Sequence, residues 1–506
     1  MRRYALTLLI LIIPILASCG SGSATAITLP YPTSFTTNPC PFKVGTGLKE
    51  GTDVICGQLT VPEDRSQPKG ATVKLAVATF RTITKNAPNE PVIFLQGGPG
   101  GGIVSDLGSG INSQNRETLV GPRDLVLIDQ RGTGLTQPSL ACPEVTTLNT
   151  QLLSQVLPET QAVQQQGVAL AQCHDRLVNQ KINLNNYNTL MDANDIHDLI
   201  VTRNYPAATI YGVSYGTRVA LEVMRSFPAR VKNVVLDSVV PPDLTLVTAA
   251  ANSHKRLFDQ LFAGCAANAT CSSRYPTLQQ DFQNVVQNLE ANPITLQVTN
   301  PNTNVDTAVA LNGKSFEDTV WQLFYISSVI PQVPALIETV NRGIYDGLKV
   351  AISLTAFDNS VNYGTYFSVE CAEDLPNVTP AAIQQADQVY NSLTRQDYIT
   401  DDTAEITQCQ QWNVNKAVAS QRQPVVSSIP TLILEGTYDP ITPPANGNEV
   451  ARTLSNQVTL LFPASGHGVY IFSGNDCANI IVHSFFSVST KVDTSCLKQQ
   501  LPPQFL

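Results

Sequence analysis

A serine flanked by glycines lies near the middle of the chain, in the sequence Gly-Val-Ser-Tyr-Gly at residues 212–216. The run before it is apolar and the run after it has a helical pattern, so the context predicts a strand, a sharp turn and a helix. This context suits a nucleophile, because a strained turn between a strand and a helix exposes the hydroxyl of Ser214 at the end of the strand. The pattern also occurs by chance, and its significance depends on a base and an acid elsewhere in the chain.

Two of the five histidines lie well downstream of this serine, where the chain order serine, acid, histidine would place the base. His467 stands between two glycines just after an apolar run, and this pattern predicts a loop histidine whose ring reaches into a cleft. His483 lies in an amphipathic helical run, which favours a packed or surface role. We therefore predict that His467 is the base that serves Ser214.

The acid is expected between the serine and the histidine. Residues 430–440 predict a buried strand that ends in a turn at Asp439, where a carboxylate can orient an imidazole ring. Asp439 could equally open an Asx-type turn before the following proline, and Glu435 is a competing acid inside the same strand. The hydroxyl of Thr442 either supports the Asp439 turn or caps the next segment. The flanking serine and histidine favour Asp439 as the catalytic acid.

A glycine-rich run, Gly-Gly-Pro-Gly-Gly-Gly at residues 97–102, follows another predicted strand. Residues without a Cβ atom let the backbone approach a ligand closely, and backbone N–H groups can stabilise the oxyanion that forms during acyl transfer. We expect the amides of Gly98 and Tyr215 to be the two donors, with Gly97 as the alternative to Gly98. A phosphate-binding loop is excluded, because no Gly-Lys-Ser/Thr follows the run.

Strand-like and helical runs alternate from Val54 to Val240, which predicts a mostly parallel sheet covered by helices on both faces. The following residues are rich in Gln, Asn and Ala and show helical periodicity, and the sheet pattern returns at 431–435. We therefore predict an α/β fold with a first core part at 39–244, a mainly helical cap at 245–425 and a second core part at 426–506.

Five motifs, in order from about Cys40 to the C-terminus, resemble those of the proline iminopeptidase family of serine peptidases and of its secreted, cysteine-containing tripeptidyl aminopeptidase-like branch. They are Gln-Gly-Gly-Pro-Gly at 96–100, Asp-Gln-Arg-Gly-Thr-Gly at 129–134, the serine motif at 212–217, Asp-Pro-Ile-Thr-Pro at 439–443 and Gly-His-Gly at 466–468. Proline iminopeptidases carry histidine where this chain has Gln96, which bears on proline specificity more than on hydrolysis. The resemblance implies the α/β-hydrolase fold, a triad of Ser214, Asp439 and His467, peptide substrates with a free N-terminus, and no metal or cofactor.

An acidic cluster in the predicted cap, formed by Glu370, Glu373 and Asp374, surrounds Cys371. In the resembling family, acidic residues of the cap bind the free amino group of the substrate. A buried carboxylate pairs with an ammonium group and fixes its distance from the scissile bond. The resemblance favours Glu373 as this anchor, with Glu370 and Asp374 as alternatives. A solvated acidic turn would explain the same pattern.

The first residues have the pattern of an export signal. Two arginines at positions 2 and 3 precede an apolar run at 5–16, and Leu-Ala-Ser-Cys follows at 16–19. This tetrapeptide resembles the lipobox of bacterial lipoproteins, in which the cysteine becomes the lipidated first residue; an ordinary cleaved signal is the alternative. We predict an exported, membrane-anchored enzyme with a signal peptide at 1–18, lipidation at Cys19 and a flexible tether at 19–38.

Setting Cys19 aside leaves ten of the eleven cysteines, an even number that favours disulfides in an oxidising compartment. Sequence alone does not fix the connectivity, and we predict five local pairs: Cys40–Cys56, Cys142–Cys173, Cys265–Cys271, Cys371–Cys409 and Cys477–Cys496. A zinc site at Cys173 and His174 is the rival interpretation, but it would need two further ligands that the sequence does not indicate.

Composition and net charge restrict the classes of function that the chain can have. The chain has 506 residues, of which 14% are charged, and its net charge of −9 with no basic stripe argues against nucleic-acid binding. An acidic surface is compatible with a positively charged peptide amine. An esterase or lipase would use the same triad, whereas a non-catalytic peptide-binding lipoprotein would leave the ordered triad unexplained. An epoxide hydrolase would need an aspartate at position 214.

Overall fold

The computed structural model describes residues 29–488 and 492–506, so the predicted signal peptide and Cys19 lie outside the described residues. Within this part of the chain, eleven strands form a nine-stranded sheet and a separate hairpin. The strands are β1 (Ser34–Thr37), β2 (Val54–Pro62), β3 (Thr72–Phe80), β4 (Val92–Leu95), β5 (Leu125–Ile128), β6 (Ala208–Val213), β7 (Val231–Asp237), β8 (Ile294–Asn300), β9 (Val305–Leu311), β10 (Thr431–Gly436) and β11 (Gln457–Phe462).

In the described part of the chain, α-helices lie between and after these strands. They are α1 (Asp106–Gly110), α2 (Arg116–Val120), α3 (Pro143–Leu152), α4 (Glu159–Asn179), α5 (Thr189–Thr202), α6 (Tyr215–Ser226), α7 (Leu246–Ala267), α8 (Ala269–Arg274), α9 (Leu278–Ala291), α10 (Gly313–Leu323), α11 (Val333–Asn341), α12 (Asp346–Thr355), α13 (Tyr363–Glu373), α14 (Pro380–Ala386), α15 (Arg395–Trp412), α16 (Pro444–Ala451) and α17 (Asp476–Val488).

The large sheet has the strand order β1-β2-β3-β5-β4-β6-β7-β10-β11. Its first pairings, from β1 through β2 and β3 to β5, are antiparallel, and every later pairing is parallel. The parallel strands β4, β6, β7, β10 and β11 therefore end at the same edge of the sheet, where ligands bind in open α/β sheets. This topology confirms the predicted α/β-hydrolase fold with a mostly parallel sheet.

Alternation along the strands divides the core between the two faces of the sheet. Leu95 packs on one face in an apolar cluster with Ile196 of α5 and Val219 of α6. The neighbouring residue Phe94 packs on the opposite face in a cluster with Phe485 of α17. Helices therefore cover both faces, as the alternation of strand-like and helical runs predicts.

The region between β7 and β10 is mainly helical, as predicted, and it has two parts. Helices α7–α12 and the β8–β9 hairpin share an apolar core of their own, which includes Phe282 and Phe316. Helices α13 and α15 instead pack against the cluster that covers the sheet, through Phe367 and Trp412. The cap is therefore attached to the core along α13 and α15.

Ten cysteines form the five predicted disulfides, namely Cys40–Cys56, Cys142–Cys173, Cys265–Cys271, Cys371–Cys409 and Cys477–Cys496. Cys173 is thus bonded to another cysteine, which removes it as the zinc ligand of the rival interpretation. The Cys371–Cys409 bond joins α13 to α15 across a sequence separation of 38 residues.

The second half of the predicted tether differs from the expectation. Residues 34–37 form β1, which pairs with β2 along the edge of the sheet. The hydroxyl of Tyr31 donates to Asp198 (3.0 Å), and the guanidinium of Arg203 lies over the ring of Phe35. The Gly, Ser and Thr content suggested flexibility, but backbone pairing, a tyrosine hydrogen bond and a cation–π contact fix this segment. Among the described residues, no helix is long and apolar enough to cross a lipid bilayer.

Candidate active site

Ser214 occupies a sharp turn between β6 and α6, with φ 56° and ψ −128°. Its two flanking glycines are needed because the chain passes close to itself at this turn. A Cβ atom on Gly212 would lie 2.3 Å from the carbonyl oxygen of Gly216, and one on Gly216 would lie 2.1 Å from that of Leu95. The backbone around Ser214 therefore has the geometry of a nucleophile elbow.

Asp439 and His467 contact each other at the ends of β10 and β11. Nδ1 of His467 donates to Oδ2 of Asp439 over 2.8 Å, because an ionised carboxylate can only accept. The other oxygen, Oδ1, accepts from the amides of Ile441 (3.0 Å) and Thr442 (2.8 Å). With Nδ1 protonated, Nε2 of the neutral imidazole is the nitrogen that can accept a proton.

Thr442 supports the acid and does not cap α16, which begins at Pro444 and has no side-chain cap. Its hydroxyl donates to Oδ2 of Asp439 (2.8 Å) and lies 3.1 Å from Nδ1 of His467. Of the two roles that the sequence left open for Thr442, the structure shows support of the Asp439 turn. The hydroxyl thus lies within hydrogen-bonding distance of both the carboxylate and the imidazole.

The surroundings shift the ionisation of both groups. Burial alone would raise the pKa of Asp439, but the charge of His467 and several hydrogen bonds outweigh it and hold this pKa below its usual value. Burial alone would lower the pKa of His467, but the charges of Asp439 and Asp237 and the bond to Asp439 raise it above its usual value. Asp439 is therefore ionised, and His467 is a stronger base than an ordinary histidine.

Two residues at the end of β7 hold the loop that carries His467, and the sequence analysis missed both. Asp237 accepts from the amides of Val469 (2.7 Å) and Tyr470 (2.8 Å), and the hydroxyl of Ser238 accepts from the amide of Gly468 (2.9 Å). The available signal was a polar pair directly after an apolar strand at the edge where Ser214 and Asp439 lie.

The glycine-rich run lies against the serine. A Cβ atom on Gly97 would lie 2.7 Å from Cβ and 3.2 Å from Oγ of Ser214, so any larger residue would collide with it. Gly98 has φ +124°, a conformation that favours glycine. Tyr215 is the first residue of α6, and the first N–H groups of a helix have no partner within the helix. Both predicted donors thus belong to segments that meet at Ser214, and Gly97 also adjoins it.

Asp129, in the second of the five sequence motifs, stabilises the segment that follows the glycine-rich run. Its Oδ1 accepts from the amides of Ile103 (2.6 Å) and Val104 (2.9 Å), and its Oδ2 accepts from the amide of Leu135 (2.8 Å). In the sequence this motif carries only the resemblance to the peptidase family. The contacts indicate that its aspartate fixes the segment that follows the glycines.

The three acids of the predicted amine anchor are all buried at the end of α13. Glu373 accepts from the amide (2.8 Å) and hydroxyl (2.7 Å) of Thr189. Asp374 forms ion pairs with Arg218 (3.0 Å) and Arg422 (2.8 Å). Oε1 of Glu370 has no hydrogen-bond partner among the described residues. Consecutive acids in the sequence therefore have different surroundings.

The competing acid and base lie elsewhere. Glu435 is buried within β10, and burial together with the charges of Asp439 and Asp237 raises its pKa well above the usual value. His483 lies on α17 with Nε2 2.9 Å from the hydroxyl of Tyr470, while burial lowers its pKa. Among the described residues, no side-chain hydrogen bond joins Glu435 to a histidine or His483 to an acid.

The geometry predicts how the reactivity of Ser214 depends on pH. We expect the rate of its labelling by a fluorophosphonate probe to fall in acid, with a midpoint above the ordinary histidine pKa of 6.5, because protonated His467 cannot accept the serine proton. Asp439→Asn removes the charge that stabilises the imidazolium, so the midpoint should move to lower pH and the maximal rate should fall roughly 10⁴-fold.

The matched control for this measurement is Glu435→Gln, which resembles the neutral form of the neighbouring buried acid. It should leave the midpoint and the maximal rate close to those of the unmodified chain. A variant Asp439→Asn that labels at the normal rate would contradict the assignment of this acid.

Similarity to known proteins agrees with this geometry. Residues 396–496 match the family described as TAP-like protein. The chain is similar to the serine protease Hip1 of Mycobacterium tuberculosis, with 24% identity over 85% of this chain and 84% of the relative. It is also similar to a tripeptidyl aminopeptidase of Streptomyces lividans, with 28% identity over 39% of this chain and 38% of the relative.

Solved structures that align with the chain include a proline iminopeptidase from Mycobacterium smegmatis, at 12% identity and a TM-score of 0.39, over 85% of this chain and 98% of the other. An esterase from Exiguobacterium antarcticum aligns at 12% identity and a TM-score of 0.36, over 82% and 96% of the two chains. The sheet order shows an α/β-hydrolase fold, and the matched segment and the sequence relatives make this chain similar to TAP-like serine peptidases.

Proposed function

We propose that this chain is an exported serine aminopeptidase that releases short N-terminal units, either tripeptides or single residues, from peptides. One observation carries the proposal. The hydrogen-bonded pair of Asp439 and His467 lies at the edge of the sheet where the strained turn exposes Ser214. The peptidases among the sequence relatives agree with this chemistry.

In the proposed reaction, Nε2 of His467 accepts the hydroxyl proton of Ser214 while Oγ attacks the carbonyl carbon of the scissile bond. The imidazolium then gives this proton to the leaving amine as the C–N bond breaks, and an acyl-enzyme ester remains. His467 next deprotonates a water molecule, which hydrolyses the ester and restores Ser214. Asp439 stays ionised throughout and stabilises the imidazolium.

The oxyanion of each tetrahedral intermediate needs N–H donors that are already in place. We assign one to Tyr215, the residue after the nucleophile, and the other to Gly98, with Gly97 as the alternative. The close approach of the Gly97 backbone to Ser214 supports a donor from this run. The bonds of Asp129 to the amides of Ile103 and Val104 support the rigidity that such a donor requires.

Helix α13 supports an anchor for the substrate amine, because it runs past the elbow. Before its first turn, the amide of Asn362 donates to the carbonyl of Gly100 (3.0 Å) in the glycine-rich run. Near its end, Glu373 shares Thr189 with the hydroxyl of Tyr215, the residue beside the serine. One end of α13 therefore adjoins the glycine-rich run, and Glu373 at the other end is linked through Thr189 to the side chain of Tyr215.

Among the three candidate acids, the contacts favour Glu370 over Glu373 and Asp374. Asp374 is neutralised by two arginines, and Glu373 already accepts two hydrogen bonds from Thr189. Burial and the charge of Asp374 raise the pKa of Glu370 well above its usual value. The charge of Arg218 lowers this pKa in part, and a substrate ammonium would act in the same direction and favour the ionised form of Glu370.

A carboxylesterase or lipase is the alternative function, because it would use the same three residues. It has no need for a buried acid beside the elbow, whereas an aminopeptidase does. A peptide-binding protein without catalysis is the weaker alternative, since it has no need for a strained serine turn beside an acid–histidine pair.

A matched set of chromogenic substrates distinguishes these functions in the full-length chain in detergent. The set contains a free-amine tripeptidyl anilide, its N-acetylated twin, a prolyl anilide, a single-residue anilide and a short acyl ester. We expect turnover of a free-amine anilide, a loss of roughly 100-fold in kcat/KM on acetylation, and a loss of roughly 10⁶-fold in kcat for Ser214→Ala. Cleavage of the ester alone, with no effect of acetylation on the anilides, would establish the esterase instead.

The amine anchor has a test of its own. Glu370→Gln should raise KM for the free-amine substrate roughly 10- to 100-fold, because a neutral amide replaces a charge-assisted hydrogen bond. The acetylated twin should be unaffected by the substitution. Asp346→Asn is the control, since the Asp346 side chain is 90% exposed on the cap. Equal losses with both substrates would assign Glu370 to the structure of the cap and not to substrate binding.

Export and anchoring are part of the proposal. The five disulfides support an oxidising compartment, and the Leu-Ala-Ser-Cys sequence supports lipidation at Cys19. We expect the chain to sediment with bacterial membranes and to incorporate labelled palmitate. Cys19→Ser should abolish both properties without changing Ser214 labelling. Palmitate incorporation that survives this substitution would contradict the assignment.

A further inference from the structure

The acid loop, which we define as residues 437–440, is held from outside by the cap. Nη1 of Arg256 on α7 donates to the carbonyl of Thr437 over 3.0 Å, and Nη2 donates to the carbonyl of Asp439. On α10, Nε1 of Trp321 donates to the carbonyl of Pro440 over 3.2 Å. Three of the four carbonyl groups in this loop thus accept hydrogen bonds from cap side chains.

The remaining residue of the acid loop is inserted into the cap. The Tyr438 side chain is 1% exposed and belongs to the apolar core of the cap, where its ring stacks on Phe324 with centroids 6.1 Å apart. A Cβ atom on Gly264 of α7 would lie 2.3 Å from the hydroxyl of this tyrosine. The cap therefore encloses the side chain of Tyr438, the residue next to Asp439.

The histidine loop, residues 465–470, also touches the cap. The hydroxyl of Ser327 accepts from the amide of Gly466 (2.9 Å). The ring of Tyr325 meets that of His467 edge to face, with centroids 5.0 Å apart. These contacts are neutral, whereas the contact at the acid loop carries a positive charge.

Arg256 lies close to two acids, Asp439 and Glu435. The charges of Asp439 and Glu435 raise its pKa, but burial has the larger effect and lowers it below the usual value. A guanidinium remains charged under these conditions, because arginine does not lose its proton in proteins. The groups that face the acid–histidine pair are therefore Arg256, Asp237, Glu435 and the phenol ring of Tyr325.

We propose that Arg256 is a positioning residue for the reaction, which holds Asp439 in the plane of His467 and balances its negative charge from the cap side. The fork of the guanidinium binds the carbonyls on both sides of Tyr438, so it fixes the turn from which the carboxylate projects. The acid–histidine pair is then complete only while α7 is seated on the acid loop. This inference rests on the proposed roles of Ser214, His467 and Asp439.

The test compares Arg256→Met, Arg256→Lys and the control Arg342→Met in the full-length chain in detergent. Arg342 also lies on the cap, but its side chain is 64% exposed. The readouts are kcat and KM for the free-amine tripeptidyl anilide, the pH dependence of kcat/KM, the labelling rate of Ser214 by a fluorophosphonate, and thermal unfolding.

For Arg256→Met we expect kcat and the labelling rate to fall roughly 10- to 100-fold, with KM changed by no more than about twofold, because the acid is misplaced and not the substrate. Loss of the positive charge should also move the acid side of the pH profile to higher pH, since the charge of Asp439 beside His467 is then uncompensated. Arg256→Lys keeps the charge and should leave the acid side in place while kcat falls. Arg342→Met should match the unmodified chain.

Normal kcat and a normal acid side of the profile in Arg256→Met would overturn the inference, and so would a loss of rate with no shift of the acid side. If Arg256→Met does not fold, Arg256→Lys decides: a folded lysine variant with normal kcat overturns the inference. Failure of the proposed function is distinguished by Ser214→Ala, because labelling that persists in this variant removes the serine mechanism itself.

Discussion

Asp439 carries a negative charge with no exposed surface, and this constraint organises the site. A buried carboxylate is stable only when hydrogen bonds and a nearby positive charge within the protein replace its lost hydration. Here the amides of Ile441 and Thr442 satisfy one oxygen, and the hydroxyl of Thr442 and the imidazole of His467 satisfy the other. Each donor that stabilises the charge also fixes one part of the turn after β10 or the ring after β11.

The same device recurs along this edge of the sheet. Asp129 directly follows β5, Asp237 ends β7 and Asp439 follows β10, so three parallel strands finish near a buried aspartate. Each of the three accepts backbone N–H groups from a loop at the edge, which otherwise would be left without partners. Asp129 holds the segment after the glycines, Asp237 holds the histidine loop, and Asp439 holds its own turn. Rigid loops at the ends of strands are what preorganised N–H donors and a fixed imidazole require.

Local chemistry made part of this site predictable from the sequence. The glycines beside Ser214, the glycines beside His467 and the aspartate at the end of a predicted strand each produce a pattern within a few residues. The disulfides were predictable because all five close between neighbouring cysteines. Arg256 gave no such signal, since its partner Asp439 lies 183 residues away. The pairing of β1 with β2 was missed for the related reason that backbone hydrogen bonds do not depend on the composition of the strand.

The acids of the cap show why acidic residues close together in the sequence cannot be ranked as amine anchors from the sequence alone. Asp374 has two arginines within ion-pair distance, and these lie 156 and 48 residues away in the chain. Glu370 has no such partner, and across from it on α15 burial raises the pKa of Asp402 to about 9 and that of Glu405 to about 7. The charge of Arg218 lowers the pKa of Glu370 and that of Lys314 lowers the pKa of Asp402, but burial and the neighbouring acids outweigh them and favour the neutral forms. An ammonium group bound among these acids would favour their ionised forms, which is the physical reason why the proposed substrate is a peptide with a free N-terminus and not a neutral ester.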